Sequence, residues 1–457
     1  MLIRFIVNNL YSFGQEKEFN MLAAPKYSKL KHHKYELSKG GRLLKLAAIY
    51  GANGAGKSNL VKALHILERI IKQRKIGVDM QWERYKYSEA DAPIYLGIEL
   101  HRKGKNYLYY IEFLGQEIIH EELYQTFFDK QEPKCIFERK KEESGQTVIS
   151  LPAFFQSSKE GQILQTIIVN NLLKKSVPLL TTLSDLRHEA LEQVREVVDW
   201  FEEQLVIIYP NSKPVSFIHR IDSDPNFLKF ANEMVKSFHT GIKQLYVRKS
   251  LLHDFFGEDN LRFVYENHLS KLEAGQIVVL EINEKEQVEI VMEEGKAIVK
   301  QLLFQHYGPA GKEATFSMGE ESDGTIRLID YISAFSGMVN EAQVYIIDEL
   351  ERSIHPVIMK ALIRKFAEDS STKGQLIFTT HESNLLDHTI FRRDEIWFAE
   401  KDKKACTDLY PLSEYKEHHS KDIQKGYLHG RYSAIPFLTN LKDLNWQAYE
   451  AEKTNNL

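Results

Sequence analysis

Cysteine is nearly absent from this 457-residue chain, which holds two, Cys135 and Cys406. Two thiols so far apart, neither beside another metal-ligating residue, argue against a disulfide framework and against a zinc site. No apolar run approaches the roughly 18 residues a membrane span needs, and the opening Met1-Leu2-Ile3-Arg4-Phe5-Ile6-Val7 turns polar too early for a secretory signal. A cytoplasmic protein with no membrane partner is expected. Neither sign of charge dominates: 60 Lys and Arg against 64 Asp and Glu leave a net charge of -4. Contact with nucleic acid would therefore require a local patch. Internal repeats and low-complexity tracts are missing too. What remains is 43% hydrophobic and 27% charged, an ordinary globular composition over a length suited to two or three domains.

The strongest positive feature is the run Leu46-Ala47-Ala48-Ile49-Tyr50-Gly51-Ala52-Asn53-Gly54-Ala55-Gly56-Lys57-Ser58-Asn59. An apolar strand over residues 43–50 enters a glycine-rich loop, and residues 59–71 carry Leu60, Leu64 and Leu67 on one helical face. Gly51, Gly54 and Gly56 let the backbone curl so that successive N–H groups point at anionic oxygens, aided by the positive end of the helix. Such a loop holds the phosphates of ATP, with Lys57 reaching the β and γ phosphates and Ser58 the Mg²⁺.

Around it, residues 2–7 and 16–22 read as two strands joined by a turn, and residues 95–100, 107–113 and 136–139 as short alternating strands of an antiparallel sheet. The basic run Lys26, Lys29, Lys31, His32, His33 and Lys34 reads as a solvated loop. Leu183, Leu186, Ala190, Val194, Val197, Phe201 and Leu205 recur every three or four residues and predict one long amphipathic helix, and residues 227–247 predict a second. The expected organisation is an N-terminal lobe with the phosphate loop (1–155), a mainly helical insertion lying outside the ATP site (156–275), and a C-terminal lobe (276–457). The insertion is too short for long coiled-coil arms, and its apolar stripe is the expected docking surface for a partner. Strands return over residues 277–282 and 288–292.

The C-terminal lobe contains what would complete an ATP site. Residues 343–349 form an apolar strand ending in Asp348 and Glu349, the first acid suited to ordering Mg²⁺ and the second to orienting an attacking water. Upstream, Glu321-Ser322-Asp323-Gly324-Thr325 is a turn opening an apolar helix, able to present N–H groups and a hydroxyl to phosphate. Downstream, Gln375-Leu376-Ile377-Phe378-Thr379-Thr380-His381 ends a strand on a histidine placed to contact a γ phosphate. Asp222-Ser223-Asp224 has the spacing of paired metal ligands, but Pro225 follows it and a helix-capping turn is the simpler reading. His418-His419 reads as an exposed loop.

This ordered set resembles the ABC-type ATPase head, a P-loop α/β fold with a mixed sheet and an antiparallel N-terminal lobe. The resemblance implies ATP and Mg²⁺ as cofactors, catalytic roles for Lys57, Asp348, Glu349 and His381, and metal contacts from Ser58 and Asp348. It implies nucleotide contacts from residues 51–59, namely Gly51, Ala52, Asn53, Gly54, Ala55, Gly56, Lys57, Ser58 and Asn59. Ser322 and Gly324 would serve the nucleotide of a second copy, and residues 350–355 would cross the interface of a homodimer or higher oligomer. Asp323 and Thr325 stand where transporters usually carry Gly and Gln.

The opening residues 5–13, the loop at 50–54, the Ser322 signature, Arg392-Arg393-Asp394-Glu395-Ile396-Trp397-Phe398 and Gly430-Arg431-Tyr432-Ser433-Ala434-Ile435-Pro436 resemble more closely the AAA_15 or overcoming-lysogenization-defect-like ATPases. Within that group they are similar to the RloA/AbiLi abortive-infection ATPases and the AriA ATPase of the PARIS system. The implied function is an ATP-hydrolysing sensor or scaffold of anti-phage defence. It would control a separate toxic effector, Toprim-like or another nuclease, on a trigger such as DNA or a phage protein. The alternative is a DNA-clamping repair or chromosome-maintenance ATPase.

Overall fold

The computed structural model describes residues 1–129, 131–214, 216–264, 276–415 and 423–432. Its central sheet has six strands in the order Leu205–Ile208, Val344–Ile347, Gln375–Thr380, Leu46–Tyr50, Ile396–Lys401 and Thr407–Pro411. The first five run parallel and the last closes the edge antiparallel. Leu46–Tyr50 and Gln375–Thr380 are buried at every residue. Their apolar runs lack alternation because both faces of a parallel sheet are covered. Side chains still divide with period two. Ala47 and Ile49 join the core of the helix Lys57–Gln73, while Leu46, Ala48 and Tyr50 join that of the helices Asp323–Asn340 and Pro356–Glu368.

A second sheet of seven antiparallel strands runs Thr147–Ser150, Lys134–Lys141, Glu117–Thr126, Lys105–Leu114, Ile94–Arg102, Leu2–Asn8, Lys17–Asn20. Its inward residues Ile98, Leu100, Tyr107, Tyr109 and Ile111 share one core with Leu60, Leu64 and Leu67. The phosphate-loop helix is thus packed in apolar contact with both sheets. A third, antiparallel sheet is built from Ile242–Leu251, Lys296–Tyr307, Gln287–Glu293 and Ile277–Glu281, with Glu313–Ser317 also on Lys296–Tyr307. Leu302 and Phe304 of this sheet pack with Ile329 and Ile332, which ties it to the helix Asp323–Asn340.

The mid-chain region departs from its periodicity. The single helix expected from Leu183 to Leu205 is divided into helices Leu179–Asp185 and Glu192–Asp199, a π turn Trp200–Gln204 and then the strand Leu205–Ile208. Leu183, Val194, Val197, Phe201 and Leu205 are all buried, so the repeat records one face against the core and not a continuous helix. His188, whose Nδ1 accepts the Ala190 N–H at 3.1 Å, starts a new turn where the first helix has ended. The second expected helix stops at Ser237, and Ile242–Leu251 is a strand. Between them His239 and Gly241 take positive φ of 53° and 84°, a left-handed turn that no helix continues through. Consequently this region does not lie wholly outside the ATP site, because Leu205–Ile208 is the edge strand beside Val344–Ile347. Nor is its apolar stripe free for a partner.

Of two polar segments, the basic run departs from the solvated-loop reading at one residue, and the Asp222-Ser223-Asp224 turn is the expected helix cap. Lys26, Lys29, Lys31 and His32 are exposed, as a solvated loop should be, but His33 is buried with Nδ1 3.0 Å from Glu395 Oε1. Asp224 caps the helix Pro225–Ser237 by accepting the Asn226 and Phe227 N–H groups, and Asp222 pairs with Lys300 and Lys249 at 2.7 Å each. His418-His419 and residues 433–436 lie outside the described residues.

Candidate active site

The site begins where the buried strand Leu46–Tyr50 turns into the helix Lys57–Gln73. Gly54 and Gly56 have φ of 78° and 106°, conformations that side chains disfavour. At Gly56 a Cβ would also lie 2.0 Å from Thr407 Oγ1. No side chain caps the helix start at Gly56, so the first-turn N–H groups are left for an anion. A chain of hydroxyls holds the loop from behind. Thr407 Oγ1 donates to the Ala55 carbonyl at 2.9 Å, so the 2.6 Å contact between Ser12 and Thr407 has Ser12 as donor. Ser12 in turn accepts Asn59 Nδ2 at 2.7 Å. Asn59 therefore turns its side chain to Ser12, behind the loop. Ser12 and Thr407 have no place in the phosphate-loop motif, and only their packing reveals them.

Lys57 is buried, and its Nζ lies 2.8 Å from the Gly51 carbonyl, 3.1 Å from that of Ala52 and 3.3 Å from His381 Nδ1. Burial lowers its pKa to about 8, opposed by Glu351, Asp348 and Glu349; the ammonium form persists at neutral pH. Desolvation and the Lys57 ammonium lower the pKa of His381, so a neutral imidazole accepts the Lys57 proton at Nδ1.

Across the loop, Ser58 Oγ donates to Asp348 Oδ1 at 3.1 Å. Thr379 Oγ1 donates to the same oxygen at 2.6 Å and accepts the Glu349 N–H at 2.8 Å, so one hydroxyl fixes the carboxylate of the first acid and the main chain of the second. The Asp348 N–H donates to the Ile208 carbonyl at 2.9 Å, giving the mid-chain edge strand a direct part in placing the acid. Glu349 has φ of 53°, a strained backbone for a residue with a side chain. The polar end of Gln375–Thr380 was the available signal for Thr379. Lys57, Ser58, Asp348, Glu349 and His381 thus converge on one loop.

Ser322 and Gly324 are placed differently. Ser322 caps the helix Asp323–Asn340, its Oγ accepting the Thr325 N–H at 3.1 Å and lying 2.8 Å from Thr325 Oγ1. A Cβ on Gly324 would lie 2.6 Å from the Ser353 carbonyl, so the glycine permits this close approach. Among the described residues the Ser322 hydroxyl is engaged by Thr325, not by the phosphate loop. A cavity of about 580 Å³ opens beside this helix, lined in part by Lys285, Asp323, Arg327, Asp330 and Arg352. Burial pushes Asp330 up to about 7, with Arg327 Nη1 3.8 Å away pulling it down.

A parallel sheet whose adjacent strand ends carry a glycine-rich loop, an acidic pair and a histidine defines a P-loop ATPase head of the α/β, ABC type. The chain belongs to the AAA_21 family, described as "AAA domain, putative AbiEii toxin, Type IV TA system", which matches residues 46–387. No curated protein matches it. Among solved structures it is similar to the SMC head domain from Thermotoga maritima at 13% identity, over 90% of this chain and 98% of that one, with a TM-score of 0.37. It is also similar to an SmcHead bound to the C-winged helix domain of ScpA at 12% identity, over 91% and 98%, with a TM-score of 0.41. No described helix is long and apolar enough to cross a membrane.

Proposed function

We propose that this chain binds and hydrolyses ATP between two copies of itself, and that its nucleotide state controls a separate toxic effector in anti-phage defence. The observation that carries the ATPase reading is the linkage Ser58–Asp348–Thr379–Glu349 beside an uncapped helix start. The residues fit both groups that the reaction needs. The N–H groups after Gly54 bind phosphate oxygens, and the Lys57 ammonium exchanges its carbonyl contacts for the β and γ phosphates. Ser58 and Asp348, a hydroxyl and a carboxylate already 3.1 Å apart, would hold Mg²⁺, which when bound neutralises developing phosphate charge. Glu349 orients the attacking water and takes its proton at a carboxylate oxygen. His381 contacts the γ phosphate through its ring.

Ser322 and Gly324 act on the nucleotide of the second copy in this reading, in keeping with a capped signature helix whose hydroxyl makes its bond within its own turn. The family description, with its toxin and type IV toxin–antitoxin system, supports an output that passes through another protein. So does the spending of Asp222 and Asp224 on lysines and a helix cap, which weighs against a nuclease centre there. The effector is expected to be a Toprim-like or other nuclease, and the trigger DNA or a phage protein. The AAA_15 and defence-ATPase resemblance of the sequence points the same way.

The first test is Lys57→Ala. The variant is expected to keep the native melting temperature within about 3 °C while losing at least about tenfold in ATP affinity or turnover, because no neutral side chain replaces a charge-assisted phosphate contact. Unchanged ATP turnover by the purified variant would contradict the assignment.

A further inference from the structure

Glu351 lies in the 350–355 segment expected at an interface between copies and has no assigned part in the ATP site, yet it bonds the residue expected to sense the γ phosphate. The strand Gln375–Thr380 pairs through Thr380 with Tyr50, and His381 is the first residue beyond it. Its main-chain N–H donates to Glu351 Oε1 at 2.5 Å. Glu351 is itself firmly framed. The Leu350 N–H bonds the Thr379 carbonyl at 3.1 Å, the Leu350 carbonyl accepts Tyr331 Oη at 3.2 Å, and the Glu351 carbonyl accepts the Ile354 N–H at 3.0 Å.

The other carboxylate oxygen, Oε2, is buried without a hydrogen-bond partner. The three protons of the nearby Lys57 ammonium go to Gly51, Ala52 and His381. A fold shaped only for stability gains little from a buried, unpaired carboxylate oxygen, which carries a desolvation cost. The bonded oxygen, Oε1, fixes the backbone at the point where the sheet stops fixing it.

We propose that Glu351 is a positioning residue for His381, its Oε1 holding the His381 main chain so that the imidazole stays beside Lys57 and faces the γ phosphate. This rests on reading the loop as an ATPase site. Glu351 positions the histidine through an acceptor oxygen, because the bond is to a neutral main-chain amide; its charge acts separately, favouring the Lys57 ammonium.

Two substitutions separate those roles. Glu351→Gln and Glu351→Ala both remove the charge, but only Gln keeps an acceptor at the same reach. Turnover is read as kcat and KM, nucleotide affinity with mant-ATP, and the His381 ring by ¹³C-histidine NMR, its resonance assigned by loss in His381→Ala. Glu351→Gln is expected within about threefold of native kcat with the His381 resonance in place. Glu351→Ala is expected to lower kcat by about tenfold or more, to move that resonance, and to bind mant-ATP within about twofold of the Gln variant. In a His381→Ala background the second substitution should add nothing to the loss in kcat, because one acts through the other.

Equal losses in the Gln and Ala variants would overturn the proposal, as would an unmoved His381 resonance in Glu351→Ala or a further loss in the double variant. Glu351→Met keeps bulk without an oxygen acceptor and repeats the comparison should the Ala chain melt below the assay temperature. A native chain that turns over no ATP contradicts the function proposed above, while the resonance comparison still decides the role of Glu351.

Discussion

Thr379 shows how much depends on single hydroxyls in this site. It donates to Asp348 and accepts from the Glu349 amide, so one side chain holds both residues, to which the proposed mechanism gives different ends. They should therefore fail differently. Glu349→Gln keeps shape and most hydrogen bonds, and is expected to bind ATP with near-native affinity but to turn over at least about a hundredfold more slowly. Asp348→Ala should instead weaken Mg²⁺-dependent ATP binding itself. Equal loss of affinity in both variants would argue against this division. At Asp330 the consequence is one of pH. Burial raises its pKa to about 7 in the folded chain, above the usual value near 4 in an unfolded one. The folded state then binds more protons between these values, so this group's contribution to stability falls as pH rises from about 4 to 7. Asp330→Asn should flatten that part of the stability curve and raise the melting temperature at pH 8. A lower melting temperature there would show that the ionised carboxylate's attraction to Arg327 outweighs its burial.

Elements whose conformation is set locally were legible in the sequence. The strand at 46–50, the helix from Lys57, the acidic strand and the strand ending at His381 announce themselves through unbroken apolar runs next to turn chemistry. Where tertiary packing decides the conformation, periodicity misleads. Between Leu183 and Leu205 the stripe is genuine and buried, but the chain changes from helix to π turn to strand along it. The β-branched run Val206-Ile207-Ile208 was the local sign of that change. Glu117–Thr126 escaped the sequence reading altogether, because its charged residues Glu117, Glu121 and Glu122 hide the alternation. Glu121 is fully buried and accepts the Leu179 and Leu180 N–H groups, capping a helix from a neighbouring strand. Phe201 measures the weight of the mid-chain segment in the core. It is fully buried beside the strand that holds Asp348, so Phe201→Ala should destabilise the fold by about 3–5 kcal/mol. A change below about 1 kcal/mol in denaturant unfolding would mean that this segment packs loosely.

At the scale of the whole molecule, one chain brings together the phosphate loop, both acids and the histidine, while Ser322 and Gly324 make their contacts within their own turn and with Ser353. In the function proposed above, a second copy presents its signature helix to the phosphate loop of the first. ATP can draw two heads together only by binding the closed pair better than the open one, and an effector can respond only through a surface that differs between those states. The most direct measurement mixes two inactive chains. Ser322→Arg damages the signature half and Lys57→Ala the loop half, so each homodimer has two broken sites, whereas a heterodimer has one with both halves intact. With subunit exchange confirmed, the mixture is predicted to recover roughly a quarter of native ATP turnover, since about half the dimers are mixed and each has one whole site. A mixture as inactive as its two components would contradict the composite site.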